Sequence, residues 1–223
     1  SANQSPMGHL PPDTGTVVLG TQGRWLIDDP GYQQYLQKAE RIFTRGPQAH
    51  NAPLINGRET IRRPTRRSVK TGPHASTLQR MEVEFSETYP EDLSLEKVRR
   101  IVWLLGNSWV VVADEIRGPS VEWVDYNWHG HPDLAWWEED GKICLYAPDG
   151  TTLWIQNPRN PLPMSDITRV SGSRGQLTLQ CHITDGLPWV WWIFSLGSEP
   201  LSFELQAGTP TLTLDKVTLN PCS

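Results

Sequence analysis

The sequence is poor in cysteine, in long apolar runs and in net positive charge. Its three cysteines lie far apart at Cys144, Cys181 and Cys222, without the spacing of a metal finger, so they support one disulfide at most. The longest apolar runs fall far short of the ~20 residues with which a helix spans a membrane. The net charge of −5 gives no overall positive field that would attract nucleic acid. These absences exclude a zinc finger, a helical membrane span and nucleic-acid binding through overall charge.

The familiar catalytic signatures are missing as well. The chain has no G-x-S-x-G elbow, no phosphate-binding loop, no dinucleotide fingerprint and no H-E-x-x-H helix, so the residues indicate none of these enzyme classes. The first residues, Ser1 to Gln4, lack the charged start and apolar core of a secretory leader. No signal peptide is predicted in this chain, and the residues leave the location open.

Turn formers and aromatic residues are plentiful among the 223 residues, with 18 Gly, 19 Pro and 11 Trp. Period-two alternation between turns predicts strands at 16–19, 24–27, 54–55, 79–85, 97–105, 109–116, 121–128, 143–146, 152–155, 177–183, 189–194, 201–205 and 211–214. Residues 32–43 are predicted as a loop, with a short helix as the alternative. This pattern favours an all-β fold, a large antiparallel β-sandwich of two packed sheets with roughly a dozen strands and little helix. We expect a single domain over residues 1–223, with 157–163 as the candidate for a subdomain edge.

Polar residues of the first 60 positions form an ordered pattern. The segment from His9 to Asp13 precedes the first predicted hairpin, Asp29-Pro30-Gly31-Tyr32 closes it, and His50-Asn51-Ala52 precedes a strand that leads to Gly57. This arrangement resembles the C-terminal β-sheet domain of the heparinase II/III family of polysaccharide lyases. Members of that family carry a His-x-His-x-Asp segment, an Asp-x-Gly turn followed by Tyr, and a His-Asn-Thr step. The resemblance covers most of residues 9–156.

The resemblance implies roles for individual residues. His9 matches the family's cleft histidine, which neutralises the uronate carboxylate during β-elimination and makes His9 the candidate catalytic residue. Asp29 and His50 match two ligands of a structural zinc, whereas Pro11 stands where the family has the third ligand. The implied zinc site is therefore incomplete, and the absence of any cofactor is favoured over a structural zinc. A purely structural role is favoured, in which His50 and Asn51 bond to the backbone of the turn at Asp29, and we expect His50 and Asp29 to lie together even without a metal.

Candidate substrate-binding residues are four arginines of one basic stretch and a histidine, namely Arg62, Arg63, Arg66, Arg67 and His129. The stretch 58–70 carries six positive charges against the single acidic Glu59, a local field that suits a polyanionic sugar chain. A solvated loop is the alternative reading of this stretch. Four tryptophans, Trp123, Trp128, Trp136 and Trp137, fit a platform that stacks on sugar rings, but burial of most of them in the core is favoured.

The resemblance also implies partners. It implies an acidic polysaccharide as the ligand and an α/α toroid domain upstream, because the Tyr and His that serve this family as base and acid come chiefly from the toroid. We therefore expect the chain to be the C-terminal part of a longer lyase and to be inactive by itself. A periplasmic or secreted location agrees with the resemblance. The alternative, from a different class, is a non-catalytic carbohydrate-binding or scaffolding β-sandwich.

Overall fold

The computed structural model of the chain describes residues 13–31, 38–61, 68–75, 77–158, 164–170, 176–184, 188–197, 200–206, 211–214 and 216–222. The strands in chain order are β1 (Leu19–Thr21), β2 (Arg24–Ile27), β3 (Leu54–Ile55), β4 (Ser68–Ala75), β5 (Leu78–Glu84), β6 (Lys97–Leu105), β7 (Trp109–Arg117), β8 (Val124–Gly130), β9 (Ala135–Glu139), β10 (Lys142–Tyr146), β11 (Thr152–Gln156), β12 (Met164–Val170), β13 (Gln176–Ile183), β14 (Trp189–Leu196), β15 (Phe203–Leu205), β16 (Leu212–Leu214) and β17 (Val217–Leu219). The helical segments are α1 (Lys38–Thr44) and three short 3₁₀ turns, Pro47–Ala49, Ser86–Thr88 and Glu91–Leu93.

The strands form three antiparallel sheets. Sheet A has the order β1-β2-β8-β13-β12, with β3 also paired to β8, and sheet B has the order β4-β5-β6-β7-β14-β11-β10-β9. A third sheet, β15-β16-β17, is called the cover sheet below. The structure thus confirms the predicted all-β antiparallel sandwich, with the cover sheet as an addition. Within the described ranges, no helix has the length and apolar character needed to cross a membrane.

The main core lies between the facing sides of sheets A and B. Alternate residues of β8 point into it, and Trp128 packs edge-on against Trp192 and Phe194 of β14, with ring centroids 5.5 and 4.9 Å apart. Tyr126 contacts the same Trp192 at 5.2 Å. Because side chains alternate along a strand, the intervening residues of β8 lie on the outer face of sheet A. That outer face carries the polar groups described below.

A second core lies between the outer face of sheet B and the cover sheet. Trp103 and Trp191 stack there with ring centroids 5.7 Å apart and planes 10° from parallel. Leu212, Leu214 and Leu219 of the cover sheet are fully buried in the same cluster. The apolar run of β14 is explained by this arrangement, since a strand buried on both faces lacks polar alternation.

The predicted strands match the observed ones closely in the centre of each sheet. The pattern misses four strands, β4, β9, β12 and β17, each of which lies at the end of its sheet in the strand order. Helix α1 overlaps the second half of the segment 32–43 that is predicted as loop or short helix, and it ends one residue beyond it. The prediction of a single domain stays a prediction, and residues 159–163 of the candidate subdomain edge lie outside the described residues.

Candidate functional site

A carboxylate and an imidazole meet at the end of the first hairpin. The Asp29 Oδ2 atom lies 3.0 Å from Nδ1 of His50, whose side chain is 1% exposed, against 15% for Asp29. The other oxygen, Asp29 Oδ1, accepts a hydrogen bond from the main-chain N–H of Gly31 at 2.8 Å. This turn geometry aims the carboxylate at His50, and Gly31 with φ of 67° supplies the left-handed backbone that the turn needs. The predicted meeting of Asp29 and His50 is therefore confirmed.

Asn51 fastens three separate segments around this pair. Its Nδ2 group donates hydrogen bonds to the main-chain oxygens of Val17 at 2.9 Å and Asp28 at 2.7 Å. Its Oδ1 atom accepts the main-chain N–H of His129 at 2.9 Å. Asn51 is itself buried, so each of these bonds stabilises a polar group that water cannot reach. One side chain thus holds the N-terminal segment, the Asp29 turn and strand β8 together.

His129 lies beneath the short helix α1, beside the same cluster. Its ring is fully buried, its Nδ1 atom lies 3.0 Å from the Thr178 hydroxyl, and Phe43 packs edge-on against it at 6.0 Å. Burial lowers the pKa of His129 to about 4, although the nearby Asp29 carboxylate opposes that shift. The imidazole is therefore neutral near pH 7. The substrate-binding role of His129 stays a prediction. The described residues cover its ring completely.

A buried ion pair, Arg100 with Asp114, lies next to the Asp29–His50 cluster and bonds to its main chain. The Arg100 guanidinium bonds both carboxylate oxygens of Asp114 at 2.7 Å, and its Nη1 atom also donates to the main-chain oxygens of Gly15 and Asn51. Arg100 lies over the Trp128 ring at 5.7 Å. The sequence pattern does not single out Arg100 and Asp114. Each is nevertheless a charged residue within a strand that is otherwise rich in apolar residues, Arg100 in β6 and Asp114 in β7. Charges of opposite sign inside adjacent apolar strands are the signal to look for, because an unpaired buried charge is costly.

The described residues do not fit a zinc ion. Among them, no group of three or more His, Cys, Asp or Glu side chains is arranged to hold a metal. Asp29 Oδ2 and His50 Nδ1 bond to each other, and the buried Nε2 atoms of His50 and His129 are both without a hydrogen-bond partner in the described part of the chain. Two unpartnered imidazole nitrogens are fewer than the four ligands of a structural zinc.

Several predicted site residues lie outside the described residues, namely His9, Pro11, Arg62, Arg63, Arg66 and Arg67. The described ends of the basic stretch form ion pairs, Arg58 with Asp92 at 3.0 Å and Lys70 with Glu82 at 3.8 Å.

The four singled-out tryptophans divide between core and surface. Trp128 is buried in the main core, whereas Trp123 is half-buried and Trp136 and Trp137 are exposed. The favoured prediction that most of these rings belong to the core is therefore wrong, because β9 lies at the edge of sheet B and β8 begins only after Trp123.

The fold and the Asp29–His50 cluster define an all-β sandwich domain with a buried histidine–carboxylate site beside its first hairpin. The family model described as heparinase II/III-like, C-terminal, matches residues 1–210. The chain therefore belongs to the heparinase II/III-like C-terminal family. No curated protein sequence matched the chain.

Solved structures of lyases share the fold. The heparan sulfate lyase HepC from Pedobacter heparinus has a TM-score of 0.70 at 18% identity, and the match covers 97% of this chain and 37% of that one. A heparinase III, the BT4657 gene product, has a TM-score of 0.70 at 17% identity, with 96% of this chain and 36% of that one covered. A further heparinase III gives 0.69 at 15% identity, with 94% and 35% covered. The chain thus spans little more than a third of the length of these enzymes.

Proposed function

We propose that this chain is the β-sandwich domain of a polysaccharide lyase, and that the complete lyase cleaves a uronate-containing polysaccharide by β-elimination. The observation that carries the proposal is the family match over residues 1–210. The heparan sulfate lyase HepC, which shares this fold, supports an acidic polysaccharide as substrate. The larger size of those enzymes supports a further domain in the complete lyase, for which we propose an α/α toroid.

The reaction needs three groups. A base removes the proton at C5, the electron pair forms the C4–C5 double bond, and the C4–O4 bond breaks while an acid protonates the leaving oxygen. A neutralised uronate carboxylate is needed as well, since the charge that develops at C5 spreads into it. We assign that third task to His9. The assignment is supported by the segment that follows His9, because Gly15 and Val17 are tied by Arg100 and Asn51 to the Asp29–His50 cluster.

Base and acid are assigned to the second domain. The two histidines of the described cluster are poorly suited to proton exchange with a polymer, since His50 is 1% and His129 is 0% exposed. We therefore expect the isolated chain to produce no unsaturated uronate from heparan sulfate or alginate, whereas the complete gene product does so with its own polysaccharide. Release of unsaturated uronate is followed by its ultraviolet absorbance. Turnover by the isolated chain would contradict this division of labour.

The basic stretch is proposed to hold the polyanion. Arg62, Arg63, Arg66 and Arg67 supply four of its charges, and guanidinium groups bind carboxylate and sulfate groups with two parallel hydrogen bonds. Replacing all four by Gln should weaken the binding of heparan sulfate and flatten its dependence on salt. The control is replacement of Arg24. This residue lies at the turn of the β1–β2 hairpin and pairs with Asp133 and Asp149.

We further propose that the domain holds no stoichiometric zinc. The proposal rests on Pro11 in the third ligand position and on the direct bond between Asp29 and His50. Elemental analysis of the purified chain should find well under one equivalent of zinc, and a chelator should leave its melting temperature unchanged. Stoichiometric zinc together with a lower melting temperature after chelation would show that another group completes the ligand set.

A further inference from the structure

The outer face of sheet A carries a second polar cluster, away from the Asp29–His50 site. Asp125 of β8 and His182 of β13 are direct neighbours across the two strands. The Asp125 Oδ1 atom accepts a hydrogen bond from Nδ1 of His182, and Oδ2 accepts the indole N–H of Trp123 at 3.2 Å. A single carboxylate therefore orients an imidazole and an indole whose ring centroids are 6.1 Å apart.

Loop contacts fix the position of Trp123 independently. Asn56 Oδ1 accepts the main-chain N–H groups of Glu122 at 2.9 Å and Trp123 at 3.2 Å, and its Nδ2 group donates to the oxygen of Ser120 at 2.6 Å. The main-chain N–H of Asn56 donates in turn to the Trp123 oxygen at 3.0 Å. The indole is thus held by its backbone as well as by Asp125, which is the preorganisation that binding sites require.

The cluster is open to solvent. The His182 side chain is 47% exposed, the Asp125 side chain 29%, and Trp123 is half-buried. Since Nδ1 of His182 is held by Asp125, Nε2 is the nitrogen available to a ligand. A half-exposed indole, a carboxylate and an oriented imidazole offer one apolar face and several hydrogen-bonding groups side by side.

The two strands connect this cluster to the site described above. The next rung along β8 and β13 is Asn127 with Gln180, whose amide groups bond at 3.2 Å, and the rung after it is His129 with Thr178. At a rise of ~3.3 Å per residue, Asp125 lies ~13 Å from His129 along β8. An extended chain of sugar rings that follows these strands would run from the exposed cluster towards the covered His129.

We propose that these residues form a subsite for an uncharged sugar ring of the polysaccharide. The Trp123 strip, as we call it, consists of Trp123, Asp125, Gln180 and His182, and the buried Asn127 accepts a hydrogen bond from Gln180. The indole face packs against the C–H side of a pyranose, while Asp125 accepts hydrogen bonds from its hydroxyl groups. The carboxylate of Asp125 repels uronate and sulfate groups, which selects the uncharged ring of the polymer. The proposal rests on the proposed function for the identity of the polymer.

Binding of two probes to the 223-residue chain tests the strip. One probe is chitohexaose, an uncharged hexamer of N-acetylglucosamine, and the other is a heparan sulfate hexasaccharide. Indole N–H signals in a nitrogen–proton correlation spectrum report on each tryptophan, and the Trp123 signal is assigned from Trp123→Phe. Both probes should shift the Trp123 signal, and Trp123→Ala and His182→Ala should each weaken the binding of chitohexaose roughly tenfold.

Matched controls come from the same chain. His131 pairs with Asp133 through Nδ1 as His182 does with Asp125, and Trp136 is an exposed tryptophan outside the strip. His131→Ala and Trp136→Ala should leave the affinity for chitohexaose within twofold of the wild type. Unfolding midpoints measured for all four variants separate a lost contact from a lost fold.

The outcomes distinguish this proposal from the proposed function. If heparan sulfate binds while the Trp123 signal stays in place, the strip is overturned and the lyase assignment stands. A shift of Trp123 by chitohexaose without any binding of heparan sulfate would support the strip and contradict the choice of an acidic polymer. If neither probe moves the Trp123 signal, the strip is overturned.

Discussion

Single buried polar residues determine how the candidate site is assembled. Asn51 bonds to three main-chain segments, and Arg100 bonds to one of them at Gly15 and to the main-chain oxygen of Asn51 itself. A buried polar group that loses its partner costs far more free energy than an average hydrogen bond contributes, so neither side chain is replaceable by an apolar one of similar size. The geometry of Asp29 and His50 therefore depends on residues that touch no ligand.

Asn51→Ala should destabilise the chain because it leaves two carbonyl oxygens and one N–H group buried without a partner. We expect a loss of ~2–4 kcal/mol in the free energy of unfolding, measured by urea denaturation. The control is Asn220→Ala, because Asn220 is exposed and its Oδ1 atom accepts the main-chain N–H of Cys222 near the C-terminus. If both variants lost the same small amount of unfolding free energy, the hydrogen bonds of Asn51 would not hold the three segments together.

His129 gives the stability of the fold a dependence on pH. Its pKa is about 4 in the folded chain, against 6.5 for an unperturbed histidine, so the unfolded state binds the proton more tightly. The contribution of the neutral ring is fully present above pH 6.5 and is lost as the pH falls through 6.5 towards 4.

The measurement compares urea denaturation at pH 7 and at pH 5. The wild type should lose ~2 kcal/mol more than His129→Gln between these two values. The control is Thr218→Ala, an exposed substitution that removes no titratable group and should keep the pH dependence of the wild type. Equal pH dependence in the wild type and His129→Gln would show that the ring does not stay neutral in the fold.

At the scale of secondary structure, position within a sheet decides which strands a sequence pattern reveals. The central strand β14 is buried on both faces and stands out as an apolar run. Edge strands need neither apolar alternation nor a complete hydrogen-bond ladder, and β4 even contains Gly72 and Pro73. The four strands that the pattern misses are therefore the ones with the weakest physical constraint on their residues.

The cover sheet should be essential for stability although it lies mostly beyond the residues matched by the family. Leu214 is fully buried over the tryptophans of sheet B, so Leu214→Ala should cost ~2–4 kcal/mol in the free energy of unfolding. The exposed Thr218 on the neighbouring strand is the control, with an expected loss below ~0.5 kcal/mol for Thr218→Ala. Urea denaturation followed by tryptophan fluorescence measures both. A cover sheet that only flanks the domain would show no difference between the two variants.

At the scale of the whole molecule, local patterns predict the sandwich, and the resemblance to the lyase family predicts the Asp29–His50 pair, but neither predicts the Trp123 strip. Asp29 and His50 are recognisable because each is part of a short motif that matches one of the family's motifs. The strip depends on the pairing of Asp125 with His182, which are 57 positions apart, and no local pattern specifies which distant strands become neighbours. The cover sheet cannot be predicted from local patterns either. Its strands are only three residues long, and their apolar residues gain a partner only when they pack against sheet B.

We propose that this domain recognises an acidic polysaccharide and that His9 neutralises the uronate carboxylate. The most direct test is kcat of the complete lyase on heparan sulfate, measured from the ultraviolet absorbance of unsaturated uronates for the wild type, His9→Ala and His131→Ala. We expect His9→Ala to lower kcat by ~100-fold or more, because the charge that develops on the uronate loses its partner, whereas His131→Ala should leave kcat unchanged. A correctly folded His9→Ala lyase with the kcat of the wild type would contradict this proposal.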